Sequence, residues 1–239
     1  MDAKVASRAV EESAQKPFSG EGRLPQPALA DERLAYESKF HDQWAHEIDL
    51  DSLDPQALFS CPTTPENVYS VQRLGDLRGK RVLDLGCGAG ESSVGLAMAG
   101  ATVDAVDVSP GMLEVTMRLA RRHGLEQQIT PHCLPAEALD FPDETFDCIY
   151  GRDVLHHTDL DGSIPEIARV LKAGGMAIFT EPLGHNPVIA VYRQLARVVR
   201  TPFETPLTYG KIRAMRQHFR RVEHKEFQLL TLTIFLWFF

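Results

Sequence analysis

The chain has 239 residues, of which 44 % are apolar, and carries 25 Lys and Arg against 33 Asp and Glu for a net charge of −8. This length suits one α/β domain with an added terminal segment, and the acidic balance excludes extended nucleic-acid binding, which needs a basic surface. The four cysteines, Cys61, Cys87, Cys133 and Cys148, form no C-x-x-C pair, which excludes a disulfide framework and a zinc-finger pattern and leads us to expect reduced thiols in a cytoplasmic compartment.

Residues 1–30 are polar, rich in Glu, Ser, Pro and Gly, and lack the apolar run of a signal peptide; they read as a flexible or swapped N-terminal segment. The pattern over Asp31–Glu47 predicts a helix with Leu34, Tyr36, Phe40 and Trp44 among its apolar and aromatic positions. A loop carrying Pro55, Pro62 and Pro65 leads to a second helix over Pro65–Leu74, so residues 31–75 form an N-terminal helical unit. From there strands and helices alternate. Strands are expected at Arg81–Leu85, Thr102–Asp107, Ile129–Leu134, Phe146–Gly151 and Met176–Thr180. Helices are expected at Glu91–Met98, at Pro110–His123 behind the N-cap Ser109, and at Ser163–Leu171, the last ended by Gly174 and Gly175. This alternation predicts an α/β fold with a doubly wound, mainly parallel sheet over 76–239.

After Glu181 the rhythm breaks. Pro-rich loops, an amphipathic helix about Val188–Val199, a helix about Tyr209–Phe219 and a sixth strand about Val222–Leu229 are expected, with the stretch 182–219 a helical insertion. The final LLTLTIFLWFF is too short to span a membrane and reads either as a subunit contact or as a chain cut short of its natural end. Together with residues 1–30 it leaves homo-oligomerisation open.

The most informative stretch is Val82–Gly90, VLDLGCGAG. An apolar run ends in Asp84, and Gly86, Gly88 and Gly90 then alternate with small residues before a helix. This is a strand entering a glycine turn at the carboxyl edge of a sheet, where α/β proteins place ligands. A dinucleotide fingerprint, G-x-G-x-x-G, fits less well: the third glycine comes one residue early and Glu91 stands where the last glycine would be. Two carboxylates, Asp84 and Glu91, would also disfavour a pyrophosphate at this turn, whereas a ligand bearing an ammonium and a sulfonium tolerates them.

With its D-x-G-x-G-x-G pattern the chain resembles the class I S-adenosylmethionine-dependent methyltransferases, strongly over Arg81–Pro187 and weakly elsewhere. The resemblance implies S-adenosylmethionine as cofactor, S-adenosylhomocysteine as product, and an N-terminal helix that closes as a lid. It implies that Asp84, Gly86, Cys87 and Gly88 meet the methionine part, and that Asp107 at the end of the second strand holds the ribose hydroxyls. Val108 and Met112 would clamp the adenine, Ala136 and Glu137 would reach its edge, and Gly151 and Arg152 would lie beside the amino-acid end.

Methyl transfer from a sulfonium needs the acceptor aligned and, where it carries one, a proton removed. The segment GRDVLHHTD offers His156 and His157; by the pattern of phosphoethanolamine methyltransferases, in which R-D is followed by two or three apolar residues and a catalytic histidine, His157 is the expected base. Glu181 and His185 in EPLGHNP would face the acceptor pocket from the far side, and the N-terminal lid helix would supply Tyr36, Phe40 and Trp44 as an aromatic face. No carboxylate–histidine cluster has metal spacing along the chain, so no metal is expected. The combined expectation is methylation at C, O or N of a small, apolar or aromatic organic acceptor, in specialised-metabolite or lipid-like quinone biosynthesis. An NAD-dependent oxidoreductase and a non-catalytic interaction module of the same fold are the alternatives.

Overall fold

The computed structural model of the protein describes residues 26–184 and 201–227. Five parallel strands, β1 (Arg81–Leu85), β2 (Thr102–Asp107), β3 (Ile129–Cys133), β4 (Phe146–Arg152) and β5 (Leu171–Thr180), form one sheet in the order β3-β2-β1-β4-β5. Helix α4 (Glu91–Met98) joins β1 to β2, α5 (Pro110–Arg122) joins β2 to β3, and α6 (Leu160–Val170) joins β4 to β5. The strand order reverses between β1 and β4, which opens a crevice outside their carboxyl ends. The doubly wound α/β reading of the sequence is thus borne out.

Strand alternation explains the layers. Val82, Val103, Ala105, Cys148 and Tyr150 pack on one face of the sheet with Leu96 of α4 and Leu113 and Leu119 of α5. Leu83, Leu85, Val106, Phe146 and Ile149 pack on the other with Ile164, Ile167 and Val170 of α6. Successive side chains point to opposite faces, so strands apolar on both faces must be covered twice. Burial of residues such as Val82, Leu83 and Ile149, all at 0 % exposure, supplies most of the favourable free energy, roughly 1.5–3 kcal/mol per large apolar side chain.

Among the described residues three α-helices precede the sheet, α1 (Gln26–Ala45), α2 (Pro55–Leu58) and α3 (Pro65–Leu74), with a 3-10 turn at Leu50–Ser52. Helix α1 docks on the N-terminus of α5. There Asp42 Oδ1 accepts from Ser109 Oγ at 2.6 Å and from Gly111 N at 2.9 Å. A Cβ on Gly111 would lie 3.0 Å from that carboxylate and 3.1 Å from Ala45 Cβ, so glycine there lets α1 approach. Ser109 caps α5 as expected, its Oγ accepting from Met112 N at 3.0 Å. After β5 come α7 (Tyr209–Ala214) and a 3-10 turn at Met215–Gln217.

Several sequence expectations need correction. Gly174 and Gly175 do not end a helix. They lie inside β5, where Gly174 has φ +79° and the β4–β5 register slips between Phe146 and Cys148, so the pair forms a bulge. Helix α6 starts at Leu160, three residues before Ser163, because Asp159 accepts from Asp161 N and caps it there. Helix α7 stops at Ala214 rather than Phe219, and residues 222–227 form no strand. The helix expected at Val188–Val199, the last two residues of the expected sixth strand, Gln228 and Leu229, and the apolar end of the chain lie outside the described residues.

Candidate functional site

The crevice at the switch point is a cavity of about 550 Å³, within the range of small-molecule sites. The β1–α4 turn, the ends of β2 and β4, the turn after β4 and one face of α1 line it.

The glycine turn divides its labour. Gly86, Gly88 and Gly90 all have positive φ, at +68°, +52° and +84°. A Cβ on Gly86 would stand 2.4 Å from Val154 Cγ2, and one on Gly90 2.7 Å from Thr116 Cα, so these two are demanded by the protein's own packing. A Cβ on Gly88 would meet nothing within 4 Å among the described residues. Beside it, Asp107 Oδ2 accepts from Gly88 N and Oδ1 from Ser109 N, both at 2.9 Å. A carboxylate offers about four acceptor sites, so two remain for a vicinal diol. Burial pushes the Asp107 carboxyl up, partly offset by those two amides.

Val106, Val108, Met112, Leu134 and Ala136 give the adjoining wall an apolar surface. Arg152 at the end of β4 lies 3.7 Å from Glu91. Next to it Asp153 holds φ +55°, a strained conformation for a residue with a side chain and one that clusters at functional sites. Cys87 lines the cavity and is buried, which pushes its thiol well up and leaves it inert at neutral pH.

Two residues expected at the cofactor stand behind this surface instead. Asp84 is fully buried, with Oδ2 accepting from Ser92 Oγ at 2.8 Å and Ser93 Oγ at 2.6 Å. Burial raises its pKa to about 6, and Oδ1 has no hydrogen-bond partner among the described residues. Gly151 packs under Phe179, where a Cβ would come within 2.6 Å. Neither lines the cavity. Their places at the carboxyl edge are as expected, but the Asp84 side chain is turned into the protein and Gly151 is covered by Phe179.

The two adjacent histidines part company. The 3-10 turn at Leu155–His157 is held by Glu181. Its Oε1 accepts from Val154 N at 2.9 Å and Leu155 N at 2.7 Å, and its Oε2 lies 2.8 Å from His156 Nδ1. His156 and Glu181 are therefore spent on shaping the turn. His157 lines the cavity, and its Nδ1 lies 3.2 Å from Glu37 Oε2. Glu37, on α1, is also 3.6 Å from His41 Nε2, and its Oε1 accepts from Thr201 Oγ at 2.5 Å. Burial alone would raise the Glu37 carboxyl, but His157, His41 and Thr201 outweigh it and hold the pKa at about 2. Glu37 is an anion throughout the physiological range.

Helix α1 is latched over the cavity. Arg33 Nη1 donates to the His157 carbonyl at 2.5 Å and Nη2 to Glu137 Oε1 at 2.6 Å. Glu137, expected at the adenine edge, lines the cavity but gives the same oxygen to Arg33 and, at 2.6 Å, to Asp159 N. Tyr36 does not reach the cavity; it is 44 % exposed and stacks edge-on against Phe203. His185 lies outside the described residues. Arg33, Glu37 and His41 were missed in the sequence. Their signal was present: with Trp44 they recur at helical spacing and so share one face, but one of polar residues that reads as solvated.

A parallel α/β sheet with a glycine turn at its switch point and a carboxylate closing the neighbouring strand is the architecture in which α/β proteins take a ligand outside the carboxyl ends of the strands. Residues 83–179 match the family described as Methyltransferase domain. The chain is 38 % identical over 129 residues to Methyltransferase GfsG of Streptomyces halstedii, covering 53 % of this chain and 45 % of that protein. It is 36 % identical over 123 residues to a ubiquinone biosynthesis O-methyltransferase of Alkalilimnicola ehrlichii, covering 50 % and 48 %. Among solved structures it resembles the YcgJ protein of Bacillus subtilis, with a TM-score of 0.56, 27 % identity, and 64 % and 66 % of the two chains covered. The chain spans about half the length of the curated relatives it matches. Among the described residues no helix is long and apolar enough to cross a membrane.

Proposed function

We propose that this protein transfers a methyl group from S-adenosylmethionine to a small organic acceptor. The observation that carries the reading is the pairing of Gly88, whose missing Cβ leaves open space, with Asp107, whose carboxylate keeps two acceptor sites beside it. These would take the methionine and ribose parts of the cofactor, and the apolar wall of Val108, Met112 and Ala136 its adenine. The unpaired Asp84 oxygen behind the turn suits the cofactor's positive charge. When bound, the cofactor supplies an electrophilic methyl on a sulfonium.

The chain's own residues do the rest. Helix α1, held by Arg33 and Asp42, acts as the lid and excludes water. Of the two adjacent histidines His157 is the one that faces the cavity, and we assign activation of the acceptor to it and to the Glu37 and His41 side chains beside it. Residues from about 182 to 219 would complete an acceptor cap. The relatives' names, a quinone O-methyltransferase among them, support a small, apolar or aromatic acceptor in specialised-metabolite or quinone biosynthesis.

Calorimetry with S-adenosylhomocysteine and with NAD tests the reading. Micromolar affinity for the former and none for the latter is expected. Binding of NAD alone would move the protein to the oxidoreductases, and cofactor binding without methyl transfer to a broad panel of phenols, quinols and amines would leave an interaction module.

A further inference from the structure

We propose that Glu37, His41 and His157 bind a first-row divalent cation at the acceptor end of the cavity. This rests on the reading above, because the cation would act on the acceptor. The candidate ligand atoms come from two elements far apart in the chain, and all lie within 4.8 Å of one another. His157 Nδ1 and His41 Nε2 stand 3.2 Å and 3.6 Å from Glu37 Oε2. A tetrahedral site with metal–ligand bonds near 2.0–2.1 Å has ligand atoms about 3.3 Å apart, so both separations fit a shared centre.

The hydrogen bonding points the same way. Glu37 Oε2 is buried and, among the described residues, both imidazoles approach it without a hydrogen bond of good geometry. Two imidazole nitrogens and a buried carboxylate oxygen that converge in this way can all turn their lone pairs to one cation. The other oxygen is fixed by Thr201 Oγ at 2.5 Å, the kind of outer contact that orients a ligating carboxylate. Thr201 Oγ is also 3.5 Å from His157 Nδ1, at the outer limit of a hydrogen bond, and its one proton is committed to Glu37.

Two imidazoles and one carboxylate suit Zn²⁺, Co²⁺, Fe²⁺ or Mn²⁺ better than Mg²⁺ or Ca²⁺, which prefer all-oxygen sets. A second grouping of His156, His157 and Glu204 is a weaker claimant: His156 Nδ1 already faces Glu181 at 2.8 Å, and Glu204 accepts from Thr201 N at 3.2 Å. Glu37, His41 and His157 all line the cavity, so a fourth position opens towards the acceptor. The site fits an acceptor hydroxyl. Coordinated there, the hydroxyl loses its proton to water, and its oxygen lone pair forms a bond to the methyl carbon. The carbon–sulfur bond breaks and leaves its electron pair on sulfur.

The test titrates the full chain, stripped with a chelator, with Co²⁺ by calorimetry and visible absorption. One equivalent at micromolar affinity with d–d bands is expected, and at least tenfold weaker binding in His41→Gln and Glu37→Gln, with thermal unfolding as the check on folding. In the wild type, paramagnetically shifted imidazole protons from two histidines should appear, which decides the ligand set even if a variant does not fold. No uptake of Co²⁺ or Zn²⁺, no shifted imidazole signals, or uptake unchanged in a folded His41→Gln would overturn the proposal. Cofactor binding and methyl transfer without a cation sinks this inference alone; a wild type that fails to bind S-adenosylhomocysteine sinks the reading beneath it.

Discussion

The two ends of the cavity are built differently. The end formed by the β1–α4 turn and the tip of β2 comes from neighbouring strands, and its polar groups are bonded mainly to nearby backbone: Asp107 to Gly88 and Ser109. The other end joins α1, the turn after β4 and the segment at Thr201, and its bonds run between side chains distant in sequence, such as Thr201 to Glu37 and Arg33 to Glu137. The first is fixed by the sheet whatever else the chain does. The second exists only while α1 is seated. A rigid end and a conditional end suit the proposed methyl transfer, in which one partner would be held and water excluded before the other reacts.

The comparison can be broken most sharply at the conditional end. His157→Ala should lower turnover about a hundredfold or more with little change in S-adenosylhomocysteine affinity; single-turnover kinetics check the first and calorimetry the second. Near-normal turnover would remove His157 from the acceptor chemistry.

At the rigid end the largest effect is on stability. Asp84 has its folded pKa raised to about 6 by burial, above the roughly 3.9 of an unfolded aspartate, so its charged form is disfavoured in the fold. The penalty, about 2–3 kcal/mol, applies in full above pH 6 and fades as pH falls towards 4, where the group is protonated in both states. Asp84→Asn should therefore stabilise the ligand-free protein at pH 7.5 by up to that amount and by nothing near pH 4. Denaturant unfolding of both proteins at the two pH values measures it; a pH-independent difference would show the charge is not the cause.

Asp107→Ala should weaken cofactor binding by about 1–3 kcal/mol through loss of charge-assisted hydrogen bonds, without altering acceptor KM. Unchanged affinity would void the ribose assignment. Smallest is the latch: Arg33→Ala removes two part-buried hydrogen bonds and should cost roughly 1–2 kcal/mol of lid closure. It should be read as faster hydrogen exchange in α1 while exchange in β1 and β2 is unchanged. Equal acceleration in both would dissolve the distinction between the two ends.

The boundaries of α3, β1, α4 and β2 were legible residue by residue, because cap chemistry and two-sided apolar strands are local signals. Gly174 and Gly175 misled because a glycine pair ends helices more often than it bulges a strand, and only pairing with β4 selects between the two. The resemblance implied that both Gly86 and Gly88 serve the cofactor; packing shows that Gly86, like Gly90, makes room for a side chain, Val154 and Thr116 respectively, and that of the three Gly88 faces open space among the described residues. His156 and His157 were indistinguishable as neighbours in the chain until Glu181, at the end of β5, claimed one of them.

From the order of its residues alone, this chain declares an α/β sheet and the glycine turn at its carboxyl edge, because strand alternation, caps and glycine turns depend on residues a few positions apart. Which histidine meets the cavity, and that Glu37 and His41 join it there, was decided only by the docking of α1 on α5 and on the turn after β4. Contacts across more than a hundred residues leave no periodic trace in a sequence; they arise when burial of one helix face brings distant side chains within bonding distance.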